Sequence, residues 1–242
     1  MCALPILKTQ PVREQLLEHT LVLIRSRGFN GFSYRDLAEL VGVKTSSIHY
    51  YFPSKDDLVL EAVKEYSKRI SERLAGIDAS LPVLEQARQY LDPLRQTCGS
   101  GQICLAGMLS TEILSLPESV HHVLKDFYHI NESWLARLLE RGQRERETPY
   151  PVPPAMLAQV IYGSLQSGLI AARLFGTHER LDAAAETLLI AQNQYLAGTV
   201  SYLNVVTAQS ASLSAERAVL DIALRRMNAG VALVRALGGG WK

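Results

Sequence analysis

The chain carries almost no net charge: 25 lysines and arginines stand against 24 aspartates and glutamates, leaving +1 over 242 residues. A dominant basic field that would draw the protein onto nucleic acid at long range is therefore excluded. Any contact with DNA must come from local placement of side chains. Cysteine is scarce. Cys2, Cys98 and Cys104 are odd in number and lack paired metal-ligand spacing, which points to a reducing, cytoplasmic setting rather than a disulfide framework. No run of uncharged apolar residues reads as long enough to cross a bilayer, so no membrane partner is expected. The stretch from Met1 to Lys8 reads as too short and too soon charged for an export signal. Alternating β-branched runs are few, which argues against a sheet. No nucleophile–base–orienter set is visible, so neither catalysis nor a cofactor is expected. With 48% hydrophobic and 20% charged residues, the composition is that of a folded globular protein.

Apolar residues recur at helical spacing almost throughout. Val12, Leu16, Leu17, Leu21, Leu23 and Ile24 predict a first helix, with Pro11 suited to its first turn and Gly28 to its stop. Ser33 followed by Asp36 predicts the capped start of a second helix, which ends at Gly42. A short third helix runs from about Lys44 to Tyr51. Phe52-Pro53 breaks it, and Ser54 with Asp57 caps a fourth that reaches about Leu74. Residues from about 81 to 174 read as four or five more helices. Within them Ala155 to Phe175 is rich in small and apolar residues, as expected of a self-association face or of a buried intramolecular helix.

Two short helices joined at Gly42-Val43, the second polar at its start, have the design of a helix-turn-helix over Tyr34 to Tyr51. Lys44, Thr45, Ser46, Ser47, His49, Tyr50 and Tyr51 can face outward while Ile48 faces in. Hydroxyls and an imidazole can meet base edges, and lysine and tyrosine can hold phosphates. The helix N-termini at Ser33 and Ser54 offer backbone N–H groups to phosphate. The residues Gly28-Phe29-Asn30-Gly31-Phe32-Ser33-Tyr34-Arg35-Asp36-Leu37-Ala38, then Val41-Gly42-Val43, then Ile48 to Leu58 closely resemble the DNA-binding domain of TetR-family repressors. The resemblance runs without a gap from about residue 11 to 60. It implies that Thr45, Ser46, Ser47 and His49 face bases and that Tyr34, Tyr50, Tyr51 and Lys55 lie against the phosphate backbone. Lys44, His49 and Tyr50 depart from the common family pattern, which leaves the operator sequence open.

The resemblance further implies an all-α protein: a three-helix DNA-binding domain over 1–55 and a helical ligand-binding and dimerising domain over 56–189. The expected partners are double-stranded operator DNA, a small-molecule effector and a second copy of the chain. Cys104 to Glu112, Leu116-Pro117 and Asn131 to Leu135 look like one branch of the family whose members respond to small reactive or organic compounds. Cys104, Met108, Phe127, Trp134 and Tyr162 are the candidate ligand-binding residues. Cys104 is either a sensing thiol or a packed, inert one, and its apolar neighbours favour the latter. His122, Asp126 and His129 share one helical face, which reads as solvated rather than as a metal site.

From about Ile190 the character changes. Tyr195 to Gln209, and Val231 to Trp241 with its Leu-Gly-Gly-Gly-Trp ending, resemble the C-terminal end of TolC-like outer-membrane efflux proteins. Leu203, Val206, Ser210, Leu213, Arg217, Leu220, Leu224, Met227, Val231 and Val234 alternate by three and four, so residues 190–242 predict a long helical tail with a coiled-coil seam. Two further readings follow: an efflux-associated interaction protein or channel-derived fragment that uses this tail, and a small-molecule sensor without DNA function.

Overall fold

The computed structural model describes residues 11–97, 101–146 and 152–193. Among these described residues there are nine α-helices, one 3-10 turn at Ile113–Ser115 and no strand. The helices are α1 Val12–Arg27, α2 Tyr34–Val41, α3 Thr45–Tyr51, α4 Lys55–Ala75, α5 Val83–Thr97, α6 Leu105–Thr111, α7 Glu118–Arg146, α8 Pro154–Phe175 and α9 Glu179–Asn193.

The first four elements begin and end where local chemistry dictates. Pro11 stands just ahead of α1, one position before the first turn, and the Gly28 N–H returns to Ile24 O at 2.9 Å to close the helix. Ser33 and Asp36 form a reciprocal capping box at α2, and Ser54 and Asp57 form another at α4. Such a cap stabilises a helix end by about 1 kcal/mol. Gly42 ends α2 in the left-handed region, at φ 78° and ψ 33°. Leu16, Leu21 and Ile24 of α1, Leu37 of α2, Ile48 of α3 and Leu58 and Val59 of α4 are buried, and Phe32 and Phe52 are buried with them. Each such side chain contributes roughly 1.5–3 kcal/mol by leaving water.

α4 ties the two halves together, packing against α1 at one part of its length and α7 at another. The most extensive helix pairing is α7 on α8. Leu124, Leu135 and Leu139 of α7 and Leu157, Ala158, Ile161, Leu165 and Leu169 of α8 are buried there. α8 corrects one expectation: its 22 residues are long and apolar enough to cross a bilayer. In this fold half of its most apolar stretch is buried inside the protein, so much of its apolarity serves the core. The small residues of α8 divide between two roles. A Cβ at Gly168 would stand 3.0 Å from Leu181 Cα, so this glycine admits α9 closely. Gly163 and Ser167 are exposed, and nothing lies within 4 Å of a Cβ placed on Gly163.

Candidate nucleic-acid interface

α3 buries one side chain, Ile48, and displays most of the rest. Lys44, Thr45, Ser46, His49 and Tyr50 are exposed, Ser47 is half-buried, and Tyr50 is 82% exposed. The surface from Lys44 to Tyr51 therefore holds hydroxyls, one imidazole and one ammonium, with no carboxylate. Lys44 occupies the N-cap position and makes no side-chain cap, as its lack of an acceptor requires. The rings of Tyr50 and Tyr51 meet edge to face at 5.1 Å.

Two neighbours fix how this surface is presented. The Tyr34 hydroxyl donates to Phe52 O at 2.9 Å, and its ring lies 4.8 Å from the His49 ring. Burial, reinforced by Asp57 and Asp56, pushes the Tyr34 phenol up to about 12, so it remains a donor. His49 Nδ1 stands 3.2 Å from Pro53 O, a carbonyl that can only accept. That contact assigns the ring proton to Nδ1 and leaves Nε2 as the acceptor of the neutral imidazole.

Ser33 and Lys55 are engaged locally. The Ser33 N–H and hydroxyl both donate to Asp36 in the capping box. The Lys55 ammonium donates to the carbonyls of Phe29 and Phe32 and sits over both rings, 4.6 Å and 4.2 Å from their centres. Partial burial lowers its affinity for the proton, against the pull of Glu112 and nearby aspartates. One of its three N–H donors remains for another partner.

The turn before α2 is also held from the other half of the molecule, by residues that sequence reasoning missed. Glu112, at the end of α6, accepts hydrogen bonds from the backbone N–H of Phe29 and Asn30 and from Asn30 Nδ2. Arg25 Nε donates to Ile103 O at 3.1 Å while Ile103 N–H returns to Arg25 O. Arg173 of α8 donates to Ser26 O. A carboxylate 83 residues away has no local signal, although Glu112 closes the segment that carries the family resemblance.

The candidate ligand residues are brought together in part. Cys104, Phe127, Trp134 and Tyr162 are buried, and Met108 is half-exposed on α6. Gln166 Nε2 donates to Cys104 Sγ at 3.4 Å. Phe127 packs on Tyr66 with ring centres 5.6 Å apart, and Tyr128 meets Tyr162 edge to face at 5.2 Å. Trp134 stacks on Tyr90 at 5.0 Å, and the Tyr90 hydroxyl donates to Asn131 Oδ1. Desolvation raises the phenols of Tyr66, Tyr90 and Tyr162. The Tyr162 hydroxyl is buried with no hydrogen-bond partner among the described residues. Tyr66, Tyr90 and Gln166, which complete this cluster, carry no motif by which sequence alone could select them.

A family model described as bacterial regulatory proteins, tetR family, matches residues 16–62, which contain α2 and α3. Among proteins of known structure, a TetR transcriptional regulator from Legionella pneumophila is 31% identical, with a TM-score of 0.68 over 75% of this chain and 97% of its own. The chain belongs to the TetR family. It is a transcriptional regulator of that family, and the curated relatives agree. The transcriptional repressor AcnR of Corynebacterium glutamicum is 25% identical over 73% of this chain and 92% of its own. A TetR-family regulator from Agrobacterium tumefaciens, 27% identical, superposes with a TM-score of 0.70 over 74% of this chain. The efflux-channel resemblance concerns residues from 190 onward, nearly all of which lie outside the described residues, and the comparisons lend it no support.

Proposed function

We propose that this TetR-family regulator represses transcription as a cytoplasmic homodimer, gripping a palindromic operator through α3 and releasing it when a small molecule occupies the sensor half. The observation that carries the reading is the surface of α3, which buries only Ile48 and presents Thr45, Ser46, Ser47 and His49 without a carboxylate among them. These side chains read base edges in the major groove, the acceptor Nε2 of His49 included. Lys44, Tyr50 and Tyr51 hold phosphates, Tyr34 supports the ring of His49, and Lys55 has one N–H left for a phosphate. Ser33 contributes by fixing α2. Residues 1–55 form the reading head and 56–189 the sensor.

Dimerisation is supported by an uncharged exposed stripe along α8: Met156, Val160, Gly163, Ser167, Ile170 and Leu174 recur at intervals of three and four. Self-complementary faces of this kind suit a two-fold axis. The axis would set two α3 helices one duplex turn apart, about 34–36 Å. Cys104, Phe127 and Tyr162 form the buried cluster of the sensor half that responds to the bound effector, and the Tyr162 hydroxyl has no partner there among the described residues. Release requires that the effector bind one conformation better than the other, so its effect is bounded by that difference.

The experiment is selection of bound fragments from genomic DNA with the purified full chain. The reading expects a recurring palindrome. Tyr50→Ala lowers affinity across all sequences, and Ser47→Ala alters preference at a single base pair. Recovery of fragments with no shared sequence removes α3 from a specific readout.

A further inference from the structure

A cleft of about 460 Å³ opens between the end of α4, the connection after it and the second half of α7. Its floor is apolar, formed by Leu74, Ile77, Ile130, Trp134 and Leu138. Arg137, Arg141 and Arg144 also line it, at positions i, i+4 and i+7 of one helix and hence on one face. None of the described lining residues is acidic.

The three arginines are not equivalent. Arg141 is committed to structure: its guanidinium donates to the carbonyls of Ala79 and Leu81 and pairs with Glu145. Gln86 Nε2 donates to the same two carbonyls, so this wall is fixed from two sides. Arg137 and Arg144 are exposed and form neither an ion pair nor a hydrogen bond among the described residues. Two guanidinium groups without an anion thus border an apolar hollow whose volume falls within the range of small-molecule sites, roughly 300–1,000 Å³. A guanidinium recognises a carboxylate through two parallel hydrogen bonds, which an ammonium cannot do. The hollow is concave and small, which suits one small molecule rather than a peptide or a duplex.

We infer that this cleft binds an amphipathic organic carboxylate, its apolar body on Trp134 and Leu138 and its carboxylate between Arg137 and Arg144. Trp134 stacks on Tyr90, whose ring is fully buried and whose hydroxyl reaches Asn131, so the cleft floor is continuous with the interior cluster around Cys104. As the address of the effector the site rests on the ligand-released reading above. As a binding site it stands without it.

The test uses the full chain carrying Trp241→Phe, which leaves Trp134 as the single tryptophan. Decanoate, below its micelle concentration, changes Trp134 fluorescence saturably. The double variant Arg137→Gln/Arg144→Gln weakens this binding by about tenfold or more, as loss of a charge-assisted contact does. Decanol, with the same tail and no charge, binds at least as poorly to the parent. The site is refuted by the absence of a saturable change, by equal affinity for decanol, by an unchanged affinity in the double variant, or by saturation with inorganic phosphate alone. On the same preparation, decanoate dissociates operator complexes over the concentration range that moves the fluorescence. Saturable binding that leaves those complexes intact refutes the effector role. A preparation that binds decanoate but no DNA at any salt concentration refutes the regulator reading and leaves the site standing.

Discussion

Replacing Gly28 by alanine attacks the turn that joins α1 to the DNA-reading helices from two directions at once. Gly28 has φ 82° and ψ 179°, a backbone region that residues with a Cβ avoid. Holding alanine there costs about 1–3 kcal/mol. The new Cβ would also stand 2.5 Å from Glu112 Oε2 and 2.9 Å from its Cδ, so the carboxylate must move. That carboxylate accepts three hydrogen bonds from Phe29 and Asn30. Hydrogen bonds to a charged group are each worth roughly 1.5–3 kcal/mol, but Asn30 is exposed and water replaces part of the loss, so about 2 kcal/mol is a fair total for the three. The sum, roughly 3–5 kcal/mol, is a large share of the 5–15 kcal/mol that holds a typical domain folded. For a chain of this size it lowers Tm by about 10 °C, since 1 kcal/mol corresponds to about 2–4 °C. Thermal unfolding of Gly28→Ala, Glu112→Ala and the double variant measures it. Because both single changes break the same contact, the double variant loses less than their sum, by about 1–2 kcal/mol. A Tm within about 2 °C of the parent for Gly28→Ala, or strict additivity, would refute the contact as drawn.

Tyr162→Phe removes a buried hydroxyl that has no partner among the described residues, so it leaves stability unchanged or raises it by about 1 kcal/mol. A loss greater than about 1 kcal/mol on denaturant unfolding would mean that the hydroxyl is bonded. His19 has its proton affinity lowered by burial, which outweighs the opposing pull of Glu18. The native state therefore binds fewer protons than the unfolded chain between the folded value and about 6.5, and stability rises with pH across that interval. His19→Gln removes that dependence: its stability relative to the parent improves as pH falls from 7 toward 5, and parallel curves for the two proteins contradict the assignment. Ser167→Arg places a charge in the middle of the exposed α8 stripe, and sedimentation should show the dimer shifted toward monomer. An unchanged molecular mass at low micromolar concentration counts against that face.

The parts of the fold written in local chemistry were legible in the sequence. The Ser33/Asp36 and Ser54/Asp57 spacings predict capping boxes, and both are formed with both hydrogen bonds in place. Ile48, one apolar residue among polar ones, predicts which side of α3 turns inward. The partners that set the site's geometry were not legible, because they come from distant segments. Nothing near Glu112 signals that it will hold Phe29 and Asn30, and nothing near Arg25 signals Ile103. Lys55 shows how tertiary structure redirects a side chain. The family resemblance points it at a phosphate, while the rings and carbonyls of Phe29 and Phe32 draw its ammonium under the turn. In α8 Gly168 packs against α9, as the buried-helix reading of its composition expects, while Gly163 faces solvent, which leaves the self-association reading a proposal. Trp134 is a candidate ligand-binding residue from the sequence, but its place on the floor of a cleft bordered by unpaired guanidinium groups depends on the packing of α4 against α7.

The most direct test of the central claim is the affinity of Ser46→Glu for the selected operator, measured by band shift beside the parent at the same salt. Ser46 is exposed in the first turn of α3, where a carboxylate favours the helix, so the fold and its Tm stay intact. If α3 enters the groove, the new negative charge faces phosphates and base acceptors, and affinity falls by about a hundredfold or more. An operator complex as tight as the parent's would show that another surface holds the DNA.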